Sequence, residues 1–197
     1  MNYPPKHHQE SDKNHIVEVI KTYPLATVIS VHENKPLITH LPLIYEDGKL
    51  IGHIDIYNPQ AKLLKDNNEV TILFSGPQCY ISPSIYGTTQ LPTWNYIKVH
   101  LKGNVKAIES KQALKQSLIA MTAFLEAPDH KYVLEPDNPR LDRNLNYIEM
   151  FEISITDWEG KFKLSQDKKR SDINFAREEL IRANQESIRD FLNKVFS

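Results

Sequence analysis

A chain of 197 residues, 40% hydrophobic and 25% charged, is long enough for one domain of ordinary size with a real core. Its 24 basic and 25 acidic residues leave a net charge of −1, so no whole-molecule field draws it to nucleic acid or an anionic membrane, and any DNA contact must be local. The lone Cys79 excludes an intramolecular disulfide, no apolar run reaches the roughly 20 residues needed to cross a bilayer, and the opening MNYPPKHHQESDK lacks an apolar signal core, so a cytoplasmic protein is expected.

Met1 to Glu10, with Pro4, Pro5 and the His7–His8 pair, reads as an extended arm. Ser11 or Asp12 caps a predicted helix whose Ile16, Val19, Ile20 and Tyr23 fall at helical spacing and which stops before Pro24. The period then changes to two. In LATVISV, Leu25, Thr27, Ile29 and Val31 share one face and Ala26, Val28 and Ser30 the other, a strand pattern rich in β-branched residues. A polar turn over His32–Lys35 leads to a second strand, PLITHLPLIY, and a turn at Glu46–Gly48 to a third, KLIGHI. Tight turns between three strands predict an antiparallel meander rather than βαβ units. Asn58 as cap and Pro59 at the first helical position predict a short helix through QAKLLKDN, followed by the strand EVTILFSG.

The stretch Cys79 to His100, CYISPSIYGTTQLPTWNYIKVH, sets Tyr80, Tyr86, Trp94 and Tyr96 beside Ser82, Ser84, Thr93 and Asn95 on a connection stiffened by Pro83 and Pro92. Such aromatic bodies with polar tips suit a flat, partly polar ligand or a partner surface, and equally an ordinary surface loop with a few core rings. From Trp94, WNYIKVHLKGNVKAI alternates. Asn95, Ile97, Val99, Leu101, Gly103 and Val105 are expected to face the core, leaving Trp94, Tyr96, Lys98, His100 and Lys102 outward.

Ser110 caps the clearest helix, with Leu114, Ser117, Leu118, Met121, Phe124 and Leu125 in one stripe before Pro128. A polar loop follows over Asp129 to Asn138, then a short helix over Arg140 to Glu149. MFEISITDW points Phe151, Ile153 and Ile155 inward, and Glu159–Gly160 is expected to turn the chain into KFKLSQ. From Ser171, Ile173, Leu180, Ile188, Phe191, Leu192 and Val195 make a discontinuous helical stripe that packs on the body or on a second subunit. The chain is therefore expected to divide into a main domain, 1–170, and a helical extension, 171–197.

Roughly six or seven strands with turn-length links predict a small closed or nearly closed antiparallel barrel. The six glycines are too dispersed for a Rossmann fingerprint or a P-loop, so a phosphate would have to be held by side chains and a helix start. The histidines and Cys79 show no metal-ligand spacing, no GxSxG elbow exists, and no catalytic residue set announces itself. Two anion grips are conceivable. Asn58 at a helix start with Lys62 and His53 is one, although the pattern fits an ordinary capped helix better; Lys161, Lys163 and Ser165 on one strand face is the other, read equally as a guard against edge aggregation.

The segments YPLATVIS, THLPL, GHI…NPQ, YISPS, PTWNY and GKFKLSQ, in this order and spacing, resemble the PaiB family of FMN-binding negative transcriptional regulators from Tyr3 to about Ser171. The resemblance implies a mainly β, α+β fold: an antiparallel split β-barrel with peripheral helices, related to the pyridoxamine-phosphate-oxidase flavoproteins. It further implies FMN as cofactor and a homodimer with two FMN sites at its interface. Carried over by position, it sets Ala26, Thr27 and Val28 beside the flavin ring, with His40, Leu41 and Pro42 next to them. His53, Asn58 and Lys62 would meet the ribityl phosphate, while Tyr80, Ser82, Thr93, Trp94, Asn95 and Tyr96 line the pocket, some from the opposite subunit. Lys161, Lys163, Ser165 and Gln166 form the closing motif.

The function implied is a dimeric flavin-binding regulator, although no helix-turn-helix with a basic recognition helix is visible for DNA. An FMN-dependent oxidoreductase, with His40 and His53 as available groups, and a binder of another flat cofactor such as haem are the alternatives.

Overall fold

The structure is a computed structural model that describes residues 4–184 and 189–196. Tyr3 and Ile188, both part of the sequence reading, lie outside the described residues. Eight strands carry the fold: β1 (Gln9–Glu10), β2 (Leu25–His32), β3 (Lys35–Pro42), β4 (Ile44–Glu46), β5 (Lys49–Asp55), β6 (Glu69–Ile81), β7 (Thr93–Ile108) and β8 (Ile148–Lys163). They form one mostly antiparallel sheet in the order β3-β2-β6-β7-β8-β5-β4, with β1 added to β8. The helices are α1 (Lys13–Thr22), α2 (Lys111–Leu125), α3 (Pro139–Asn144), α4 (Arg170–Asn184) and α5 (Arg189–Val195). The mainly β, antiparallel class with peripheral helices is as expected.

Two compact units share the long strands β6, β7 and β8. The first comprises Met1–Pro24, Leu73–Leu101 and Trp158–Ser197. Asp12 Oδ1 accepts the Asn14 N–H to cap α1, whose Ile16, Val19 and Ile20 are buried as the spacing predicts. The alternation of β7 holds: Asn95, Ile97, Val99 and Leu101 are buried, Trp94 stands half-exposed, and Tyr96 is partly covered. Phe162, Leu164, Ala176, Leu180, Ile181, Phe191 and Leu192 complete the buried set, with the Phe162 and Phe191 rings 6.4 Å apart edge to face.

Three expectations in this unit are corrected. The N-terminal arm is a short 3-10 turn, Lys6–His8, followed by β1, which pairs Gln9 with Lys161 and Glu10 with Gly160. Glu159–Gly160 makes no turn, because β8 runs unbroken from Ile148 to Lys163. Gly160 is there for close approach instead: a Cβ would lie 2.9 Å from both Glu10 Cβ and Glu10 O and 3.0 Å from Ile16 Cγ1. Much of the Cys79–His100 stretch is also strand rather than loop, with only Pro83–Ile85 and the residues up to Pro92 between β6 and β7.

The second unit comprises Leu25–Ile72 and Lys102–Asp157. β2 and β3 form a hairpin in the register Ala26↔Leu41, Thr27↔His40 and Val28↔Thr39. The expected meander is only half realised. The second strand breaks at the fully buried Leu43, and its tail becomes β4, which pairs with β5 while β3 ends the sheet on the other side. Pro36 and Pro42, lacking donors, suit that edge position. The helix after Asn58 shrinks to a 3-10 turn, Pro59–Lys62. The helix expected over Arg140 to Glu149 ends as α3 at Asn144, and Ile148 and Glu149 open β8 instead, where Ile148 pairs with Asp55 and Glu149 with Ile54. Ser110 caps α2, and Leu114 packs in a cluster with Leu141, Leu145 and Met150.

Candidate functional site

The residues expected to meet a cofactor fall into two groups, one in each unit. In the second unit, alternation on β2 and β3 sorts them by face. Ala26, Val28 and Leu41 are buried and wall the core, whereas Thr27 and His40 stand opposite one another on the outer face, Thr27 Oγ1 3.0 Å from His40 Nδ1. Pro42 stands at the open end of the hairpin, opposite Leu25. The same outer face carries Leu25, Val31 and Ile38, exposed to 63%, 66% and 57%.

Asn58 is committed to its turn. Its Oδ1 accepts the Gln60 N–H at 2.9 Å, its carbonyl accepts the Ala61 N–H at 2.9 Å, and its Nδ2 donates to Thr39 Oγ1 at 3.1 Å. With those amides used, the exposed Lys62 is what the turn offers an anion. Gln60 is buried and donates through Nε2 to Val28 O and Ser30 Oγ, at 3.1 and 2.9 Å, while its Oε1 has no partner among the described residues. His53 lies in β5, with Nε2 3.0 Å from Ser117 Oγ of α2 and a buried, unpartnered Nδ1. Burial pushes its pKa down to about 4, so the imidazole is neutral at ordinary pH.

In the first unit the strand ends gather aromatic and cationic groups. The Tyr80 and Trp94 rings, each 49% exposed, lie 6.3 Å apart at 58°. Ser82 caps the Pro83–Ile85 turn, its Oγ accepting the Ser84 N–H and lying 2.8 Å from Ser84 Oγ. Lys163 Nζ donates to Thr93 Oγ1 at 2.7 Å, and Lys161 Nζ sits 5.6 Å from the centroid of Tyr96. Ser165 is buried with φ +65°. Its hydroxyl donates to Asn95 Oδ1 at 3.1 Å and lies 3.0 Å from Tyr86 OH. Gln166 is spent on its own turn, accepting the Leu164 N–H and donating to Phe162 O.

Sequence reasoning missed three contributors here. Asp172, fully buried in the first turn of α4, accepts the Gly87 N–H at 2.9 Å and the Thr88 hydroxyl, tying the 86–92 loop to that helix. The Thr88 hydroxyl, then the Gly87 amide, hold its carboxyl below the usual range against the effect of burial. Lys168 donates to Gln90 Oε1 at 2.9 Å and lies 5.5 Å over Tyr86. His8 joins through β1, and its pKa is lowered by burial, then by His7 and Lys163. No local motif marks any of the three, because their partners lie some 80 residues away or, for His8, across a strand pairing.

Residues 2–157 match the family described as "Putative FMN-binding domain". The chain is 29% identical over 175 residues to the protease synthase and sporulation protein PAI 2 of Bacillus subtilis, covering 86% of this chain and 84% of that one. Among solved structures, the FAD and haem binding protein from Mycobacterium smegmatis superposes with a TM-score of 0.66 at 18% identity, covering 85% of this chain and 79% of the other. The flavocytochrome Anf3 from Azotobacter vinelandii gives 0.63 at 17%, covering 79% and 69%. At such identities the structures speak for the fold. The chain belongs to the FMN-binding PaiB family, with the antiparallel split barrel as its fold and FMN as its cofactor.

Proposed function

We propose that this protein is a homodimeric, cytoplasmic FMN-binding regulator that represses transcription, in the manner its family resemblance implies. The observation that carries the dimer is the outer face of the β2–β3 hairpin. Leu25, Val31 and Ile38 are large apolar residues exposed on that face, and Thr27 and His40, expected beside the flavin ring, stand on it too. A second copy covering it would cover those two residues as well.

The residues fit FMN. A flavin needs ring-facing apolar and aromatic groups, hydrogen-bond partners at its ring edge and cations at its phosphate. Within the second unit the Thr27–His40 pair and Lys62 supply hydrogen-bonding and cationic groups, and within the first the Tyr80–Trp94 wall with Lys161 and Lys163 supplies aromatic and cationic ones. Ser82, Asn95, Ser165 and Gln166 serve by holding the wall in place, through the bonds already described. Bound FMN supplies electron transfer, and a change in its redox state would be what the regulator reads.

A visible absorption spectrum of the purified protein is the first test: flavin bands are expected. A Soret band would favour the haem alternative, which two solved structures of this fold, named for flavin and haem, keep in view. Bleaching of the flavin by NADH or NADPH would favour the oxidoreductase. Gel filtration should give a dimer of the 22.8 kDa chain that Val31→Lys with Ile38→Lys converts to monomer. A gel shift with the protein's own promoter region tests repression, and no binding at low salt would argue against direct contact with DNA.

A further inference from the structure

β7 ends at Ile108 and α2 begins at Lys111, and between that corner and the start of β8 the second unit holds a cleft of about 250 Å³. Local bonds fix its walls. Asp66 Oδ1 accepts the Ala107 N–H at 2.7 Å, the Asn67 N–H donates to Val105 O and the Val105 N–H to Asn68 O, each at 2.9 Å. These bonds hold the loop that carries Lys65 against β7, while Ser110 caps α2 at the corner. The floor is apolar. Leu114, Leu145 and Met150 are buried members of one cluster, and Ile148 packs against it.

Four charged side chains stand around that floor: Lys65, Glu109, Lys111 and Glu149. Lys65 Nζ and Glu149 Oε2, 2.6 Å apart, neutralise each other. Lys111 Nζ donates to the neutral Asn146 Oδ1 at 2.5 Å, and Glu109 has no ion pair among the described residues. One cation and one anion, two positions apart in the chain, are thus left unmatched above an apolar surface. An apolar acid would satisfy Lys111 and meet a like charge at Glu109, and an apolar amine would do the reverse. A molecule that carries both an ammonium and a carboxylate beside a short apolar chain satisfies all three features. Pockets for drug-sized ligands start at about 300 Å³, so the occupant is smaller than those.

We propose that this cleft binds a free α-amino acid with an aliphatic side chain. Its carboxylate pairs with Lys111, its ammonium with Glu109, and its side chain covers Leu114, Leu145 and Met150. No residue of the cleft belongs to the set expected to meet the flavin, so the proposal does not rest on the flavin reading.

The test follows the methyl groups of Leu114, Leu145, Ile148 and Met150 by NMR while L-leucine is titrated into the full-length protein. Three relatives of leucine are compared with it: 4-methylpentanoate lacks the ammonium, 3-methylbutylamine the carboxylate and glycine the side chain. Leucine is expected to shift those methyl signals saturably, the acid and the amine to bind more weakly, and glycine to leave the signals in place. Glu109 and Lys111 are both exposed, so Glu109→Gln and Lys111→Gln should keep the remaining methyl spectrum unchanged. Each is expected to weaken leucine roughly three- to tenfold. Glu109→Gln should also bring leucine level with 4-methylpentanoate, and Lys111→Gln should bring it level with 3-methylbutylamine. The proposal is overturned by the absence of a saturable response to leucine, by an acid or amine that binds wild type as tightly as leucine does, or by wild-type leucine affinity in both variants.

Discussion

His53 should make this protein acid-sensitive by an amount that follows from its surroundings. It lies in β5 beneath α2, with Nε2 bonded to Ser117 and Nδ1 buried without a partner among the described residues. Folding takes its pKa from 6.5 to about 4, through burial. Between those values the unfolded chain binds the proton and the folded chain does not, so stability is full above about pH 6.5, falls as pH drops, and levels off below about pH 4. At roughly 1.4 kcal/mol per unit, the loss approaches about 3 kcal/mol, a large share of a typical domain's stability. Urea unfolding of wild type and His53→Leu across pH 7.5 to 4 isolates it, since every other titrating group is common to both. The two curves should converge as the pH falls, the variant losing less. Parallel curves, or an NMR midpoint for His53 near 6.5, would refute the reasoning.

Gly103→Ala should be costly, because the new Cβ would lie 2.4 Å from Ile153 Cγ2 and 2.7 Å from the Ser154 carbonyl oxygen, which belongs to the backbone and cannot swing away. A loss of about 1–3 kcal/mol is expected from urea unfolding, and a loss below about 0.5 would mean that β7 and β8 give way easily. Asp172→Asn should speed amide exchange at Gly87 and Thr88 while leaving β7 protected, and unchanged exchange there would show that α4 does not hold the loop. We also propose that residues 171–197 act as an integral extension rather than a dispensable tail. A chain ending at Arg170 loses both the Asp172 bonds and the Phe191 ring packed on Phe162, and should unfold without cooperativity; a sharp transition in that truncated chain would separate the two.

Patterns that depend on neighbours in the chain were legible. Alternation in β7 named the buried face from Asn95 to Val105, and caps at Asp12, Asn58 and Ser110 stand where polar residues precede periodic ones. The errors share a cause. Gly160 looks like a turn because glycine is the usual turn residue, yet it is fixed by the approach of Glu10 and Ile16, which lie some 150 residues away. Ile148 and Glu149 continue a helical spacing from Leu141 and Leu145, but the pairing of β8 with β5 recruits them to a strand, tertiary contact overriding local periodicity. Leu43 reads as mid-strand, yet its burial marks the break between β3 and β4.

The sequence by itself determined the elements, the faces of its strands and, through spaced segments, the flavin-binding family, because each of those is written in residues a few positions apart or in a fixed order of motifs. Only the tertiary structure decided which polar groups have partners. It drew Asn58 into its own turn, set His53 against Ser117, spent Gln166 on Leu164 and Phe162, and brought His8, Thr93, Lys161 and Lys163 to one place. A hydrogen bond or a desolvated charge depends on distances across strand pairings, and those distances exist only once the chain has folded.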